Sequence, residues 1–135
     1  IFHAEALGAS AALLIVAALE DAELKKFIRL TEASGMTPLV EVHTEEEMKR
    51  AVSAGAECIG INNRNLKTFE TRIETTLALR KLAPKDAVLI SESGIRTAED
   101  VRMLQDAGIS AVLVGESLLR QADIGAAVRS LMNLS

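Results

Sequence analysis

A short joint recurs along this chain, and it restricts the folds open to it more than any other feature. A polar-faced helical segment runs into a glycine, and a short aliphatic run follows at once. Three copies nearly superimpose: Leu7-Gly8-Ala9-Ser10 before Ala11–Ala17, Ala54-Gly55-Ala56-Glu57 before Cys58–Asn62, and Ala107-Gly108-Ile109-Ser110 before Ala111–Gly115. A fourth, Ser34-Gly35-Met36-Thr37, leads into Pro38–Val42, and Pro84 takes the glycine's place before Val88–Ser91. Glycine ends a helix by adopting the left-handed conformation without a Cβ penalty, and proline ends one by lacking the N–H that continues it. Helix starts are marked as well. Thr44-Glu45-Glu46-Glu47 and Thr71-Arg72-Ile73-Glu74 fit the capping box, and Thr97 precedes a turn carrying Glu99 and Asp100. These signals predict helices near 1–8, 20–34, 44–54, 71–82, 97–107 and 123–133.

Five near-continuous aliphatic runs alternating with helices describe an α/β chain with a parallel sheet covered on both faces. Two architectures fit that description. One is an open, doubly wound five-stranded sheet; the other is a partial (β/α)8 TIM barrel comprising its last five strands. A unit recurs about every 25 residues, so eight would need about 200 residues, near the lower end for such a barrel. Length favours the open sheet as a single domain over 1–135. The opening Ile1-Phe2-His3-Ala4-Glu5-Ala6-Leu7 favours the barrel, because it reads as helix from the first position, as though cut inside one.

Composition excludes several function classes. With 49% hydrophobic and 25% charged residues and a net charge of −4, the chain is neither a disordered tail nor a basic nucleic-acid binder. Its aromatic and histidine side chains (Phe2, Phe27, Phe69, His3 and His43) are too few to stack bases. No apolar run approaches the roughly 20 residues of a membrane helix and no basic leader precedes one, so neither nucleic acid nor membrane is an expected partner and the cytoplasm is the expected location. Cys58 is the sole cysteine and sits in an apolar run, a packed thiol rather than a nucleophile. Two histidines without paired ligand spacing argue against a metal site.

In parallel α/β sheets the site forms where the strands end, so the polar residues there decide between the architectures. Glu41 lies inside Pro38-Leu39-Val40-Glu41-Val42, where alternation sends Val40 and Val42 to one face and Leu39, Glu41 and His43 to the other. A carboxylate in an apolar strand suggests a raised pKa suited to proton transfer, or else a structural acid capped by a neighbour. His43 reads as the start of a loop at the rim. Asn62-Asn63-Arg64-Asn65 follows Ile59-Gly60-Ile61; Asn62 offers an amide to a substrate and Arg64 a planar fork to an anion, although turn-forming asparagines with a solvated arginine explain this segment better when it is taken alone. Ser91-Glu92-Ser93-Gly94-Ile95 and Val114-Gly115-Glu116-Ser117-Leu118 each end a strand in small residues whose N–H groups suit an anion. In barrels the loops after strands seven and eight form the recurrent phosphate site, which would make the runs from Ala11, Pro38 and Cys58 strands four, five and six. The acidic and lysine positions of a receiver, and the glycine-rich loop of a nucleotide fold, are absent.

Carried by Pro38-Leu39-Val40-Glu41-Val42-His43, Ile59-Gly60-Ile61-Asn62-Asn63-Arg64-Asn65-Leu66-Lys67-Thr68 and Ser91-Glu92-Ser93-Gly94-Ile95, the sequence resembles the C-terminal part of indole-3-glycerol-phosphate synthase, a lyase of tryptophan biosynthesis. The resemblance covers nearly the whole chain, strands four to eight of the barrel. It implies decarboxylative ring closure of a phosphorylated carboxyphenylamino-deoxyribulose, without a cofactor. It implies catalytic roles for Glu41 and Glu92, substrate contacts from Asn62 and Arg64, and phosphate contacts from Ser93, Gly94, Gly115 and Glu116. The Glu116 side chain is expected to turn away from the phosphate and leave its N–H to make the contact. The family's two strand-end lysines have no counterpart here, since Lys25, Lys26, Lys49, Lys81 and Lys85 fall on helices or their ends and Lys67 in a loop. The chain alone is therefore expected to be inactive, with the missing N-terminal barrel half, or a second copy through exposed sheet edges, as its protein partner. The alternatives are a catalytically silent phosphate-binding or self-associating α/β module, or another phosphate-binding barrel.

Overall fold

The structure, a computed structural model, describes residues 1–65 and 68–133. Leu66 and Lys67, which belong to the amide-rich stretch, lie outside the described residues. The order is α1 (Phe2–Ala6), β1 (Ala11–Ile15), α2 (Asp21–Ala33), β2 (Thr37–Val42), α3 (Glu45–Ala54), β3 (Cys58–Asn62), α4 (Glu74–Leu79), β4 (Val88–Glu92), α5 (Ala98–Asp106), β5 (Ala111–Leu113), α6 (Glu116–Leu119) and α7 (Ile124–Leu131). Gly8, Gly35, Gly55 and Gly108 all take φ between 73° and 87°, the left-handed helix exits read from the joints.

The five strands pair in parallel in the order β1-β2-β3-β4-β5. This order decides between the two architectures. A doubly wound sheet reverses direction once, which puts helices on both faces; here no reversal occurs, so right-handed crossovers place the helices on one face, as in a barrel. Burial agrees. Leu14, Val40, Val42, Ile59, Ile61 and Leu89 are buried in one core with Leu24 and Ile28 of α2, Met48 and Ala51 of α3, and Leu104 of α5. Each such aliphatic side chain contributes roughly 1.5–3 kcal/mol. On the opposite, inner face Leu13, Val88 and Leu113 are 51%, 46% and 49% exposed. The expectation of a sheet covered on both faces is thus corrected: helices cover only the outer face, since the inner face of a barrel sheet is covered by its other strands.

Capping boxes form at Thr44–Glu47 and Thr97–Asp100, and also at Glu20–Glu23. The box expected at Thr71–Glu74 does not form. Thr71 instead pairs with Arg64 in an antiparallel bridge, α4 starts at Glu74, and its last turn tightens to a 3-10 turn at Arg80–Leu82. The α4 N–H of Thr76 is capped from another element, by Asn63 Oδ1 at 3.1 Å. The first and last strands are shorter than expected: β1 gives way to a 3-10 turn at Val16–Ala18, and β5 stops at Leu113. No described helix is long and apolar enough to cross a membrane.

Candidate active site

Parallel register sets which side chains meet. Glu41 stands beside Ile15 and Gly60, and Asn62 beside Glu92, which in turn neighbours Leu113. Because register partners share a face and the face alternates along a strand, Glu41, Gly60, Asn62, Ile90 and Glu92 all project inward. The two carboxylates lie on strands separated by β3, and Gly60 is the reason they meet. A Cβ on Gly60 would collide with Glu92 Oε1 and lie 3.3 Å from Leu39 Cδ1, so the glycine clears the floor on which the Glu92 carboxyl rests.

Glu92 is 4% and Glu41 8% exposed, and Glu92 Oε1 has no hydrogen-bond partner among the described residues. Burial first, and then the charge of the neighbouring Glu41, push the Glu92 carboxyl up to about 7. The raised carboxyl is thus that of Glu92, one of whose oxygens has no hydrogen-bond partner. Burial, and secondarily Glu92, also raise the Cys58 thiol above its ordinary value, which keeps it protonated and unreactive.

Asn62 ends β3 with Oδ1 fixed by the Arg64 N–H at 3.0 Å, which leaves its Nδ2 as a donor toward the inner face. His43, at the rim as expected, holds the Asn62 carbonyl through Nδ1 at 2.7 Å. The Arg64 guanidinium meets Glu116 Oε2 at 2.6 Å, and Glu116 also pairs with Arg120 at 3.0 Å. Hydrogen bonding to Arg64, then to Arg120, holds the Glu116 carboxyl below its ordinary value. The side chain of Glu116 is thus taken up by two guanidinia.

Arg64, Ser93, Gly94, Gly115 and Glu116 line one open cavity of about 1100 Å³, which Arg96 also lines. Among the described residues the backbone N–H groups of Gly94 and Glu116 find no acceptor within the chain. The carboxylate pair is not part of that cavity's lining; it lies on the open inner face. Glu92 and Ser93 are adjacent in sequence, so β4 joins the two regions. No cluster of three or more His, Cys, Asp or Glu suited to a metal occurs among the described residues.

Sequence reasoning missed three residues. Gly60 carried a signal, since a glycine inside an aliphatic strand marks a close approach. Arg96 follows an anion loop and stood open to notice. Asn63 gave none: it is 1% exposed and its side chain bonds Ser91, Ser93 and Thr76 behind the sheet, partners that only the fold brings together.

A singly wound run of parallel strands, with buried acids and a cavity lined by glycine-containing loops at the strands' C-terminal ends, defines part of a (β/α)8-barrel protein. Solved barrels agree. A 3-hexulose-6-phosphate synthase from Salmonella typhimurium superposes with a TM-score of 0.79 at 17% identity, covering 98% of this chain and 65% of that one. A mandelate oxidase gives 0.68 at 22% identity, over 98% of this chain and 49% of that one. These likenesses establish the fold alone. The family model described as indole-3-glycerol phosphate synthase matches residues 1–131, and the chain belongs to that family. Indole-3-glycerol phosphate synthases of Ruminiclostridium cellulolyticum and of Legionella pneumophila (strain Paris) are 47% and 46% identical, over 97% and 98% of this chain. The chain spans about half the length of the curated relatives it matches, 50% and 51% for these two.

Proposed function

We propose that this chain supplies one part of an indole-3-glycerol-phosphate synthase site, which closes the ring of 1-(2-carboxyphenylamino)-1-deoxyribulose 5-phosphate with loss of carbon dioxide and water. The observation that carries the reading is the meeting of Glu41 and Glu92 over Gly60, one residue from an anion loop. A carboxyl near 7 both gives and takes a proton at neutral pH, which suits acid–base work during ring closure and dehydration. Asn62 Nδ2 and Arg64 hold the substrate, and the N–H groups of Ser93, Gly94, Gly115 and Glu116 hold its phosphate. For Arg64 to reach substrate it must leave Glu116, which keeps Arg120 as its second cation. No cofactor enters this scheme, and as a biosynthetic step it belongs in the cytoplasm.

The exposed inner face and the free edges of β1 and β5 suit a partner that completes the barrel, bringing the strand-end lysines that the family resemblance implies. The 135 residues alone are expected to give no turnover, and adding the preceding strands of the Ruminiclostridium cellulolyticum relative is expected to restore indole formation, followed by absorbance. Turnover by the chain alone would refute the shared site. Leu13, Val88 and Leu113 on the inner face also favour a second reading, self-association. A monodisperse monomer by light scattering at high concentration would exclude it.

A further inference from the structure

We infer that Asn63 is a positioning residue that sets the anion grip, a role that rests on the phosphate reading above. Its amide uses its full hydrogen-bonding capacity. Oδ1 accepts from the Thr76 N–H at 3.1 Å and the Thr76 hydroxyl at 2.8 Å; Nδ2 donates to Ser91 Oγ and to the Ser93 carbonyl, each at 3.0 Å. The Thr76 N–H only donates and the Ser93 carbonyl only accepts, so the amide has one orientation. Its backbone is tied as firmly, since the Asn63 N–H donates to the Glu92 carbonyl at 2.8 Å and its carbonyl accepts from Arg72 at 3.0 Å.

One residue therefore grips the two on which the site turns. Its main chain holds Glu92 and its amide holds Ser93. Ser93 is the strained member: its φ of 65° is left-handed, a conformation a serine adopts only when its surroundings impose it. Gly94 follows at φ 76°, where a Cβ would lie 2.5 Å from Thr71 Cγ2. The Nδ2 bond to the Ser93 carbonyl fixes the peptide plane between Ser93 and Gly94, and with it the direction of the Gly94 N–H. Without that bond Ser93 relaxes toward negative φ, and the N–H groups no longer converge.

The test is titration of the 135-residue chain with inorganic phosphate, read from the amide shifts of Ser93, Gly94 and Glu116. Asn63→Ser, an uncharged change that removes the reach to Ser93, is expected to weaken phosphate at least about five-fold, the scale of one lost hydrogen bond. Ser91→Ala removes the other Nδ2 partner and is expected to lower stability while leaving affinity within about two-fold. Adding Ser93→Gly to Asn63→Ser is expected to recover part of the loss, because glycine takes a left-handed φ freely. If Asn63→Ser does not fold, Asn63→Thr, also uncharged and without the reach to Ser93, carries the same comparison. No binding by the parent chain would overturn the phosphate reading and this role with it. Parent-like binding by Asn63→Ser, or an equal loss in Ser91→Ala, would overturn the positioning role alone.

Discussion

Glu92→Gln removes a buried acid whose ionisation the fold opposes, and its effect on stability is calculable. Glu92 moves from an ordinary 4.5 in the unfolded chain to about 7 in the folded one. The folded state then binds more protons than the unfolded state between those values, so stability falls as pH rises through that window. The loss is absent below 4.5 and complete above about 7, where it reaches about 3 kcal/mol. At 4% exposure little solvent screens it. Glutamine keeps the shape, carries no charge and offers an N–H toward Glu41. Urea unfolding of parent and variant at pH 4.5, 6, 7 and 8.5 should therefore show a difference that grows by about 3 kcal/mol in favour of glutamine across the series. In a chain of this length that is roughly 10 °C in Tm. A difference that stays flat with pH, or that shrinks on the alkaline side, would refute the argument that burial and Glu41 oppose Glu92 ionisation.

Gly60→Ala should cost about 1–3 kcal/mol by overpacking, and the displaced Glu92 carboxyl should return toward 4.5; unfolding at several pH values reads both, and a neutral substitution would mean that Glu92 does not rest on Gly60. Glu116→Gln releases Arg64 from its ion pair and should tighten inorganic phosphate in the same amide-shift titration. Weaker binding would show instead that Glu116 holds Arg64 in the binding geometry.

Much of the architecture was legible because it rests on local chemistry. The glycine joints end helices wherever they occur, and Thr44 and Thr97 start helices through bonds made within four residues. The Thr71 box failed for the opposite reason. Asn63, eight residues earlier, holds the Arg72 N–H and caps α4, and Thr71 is drawn into the bridge with Arg64. The coverage of the sheet also escaped the sequence, since an aliphatic strand reads alike whether its second face meets helices or other strands. Within the site, the strand-end rule picked out both carboxylates and the two loops proposed to hold an anion. It could not foresee that the Glu92 carboxyl is pushed up, because that depends on Gly60 letting Glu92 lean across β3 toward Glu41. Nor could it foresee the Arg64–Glu116 pair, whose members stand 52 residues apart.

The two halves of the proposed anion grip hang from unequal supports. Ser93 and Gly94 leave β4, which is laddered on both sides, through five register pairs to β3 and three to β5. Gly115 and Glu116 leave β5, which has those three pairs and, among the described residues, no second neighbour. Amide protons of β5 should exchange with solvent well before those of β3 and β4, because opening β5 breaks one short ladder and little else. The Ser93 side thus acts as a fixed anvil, while the Gly115 side is the one whose position a bound ligand would still settle.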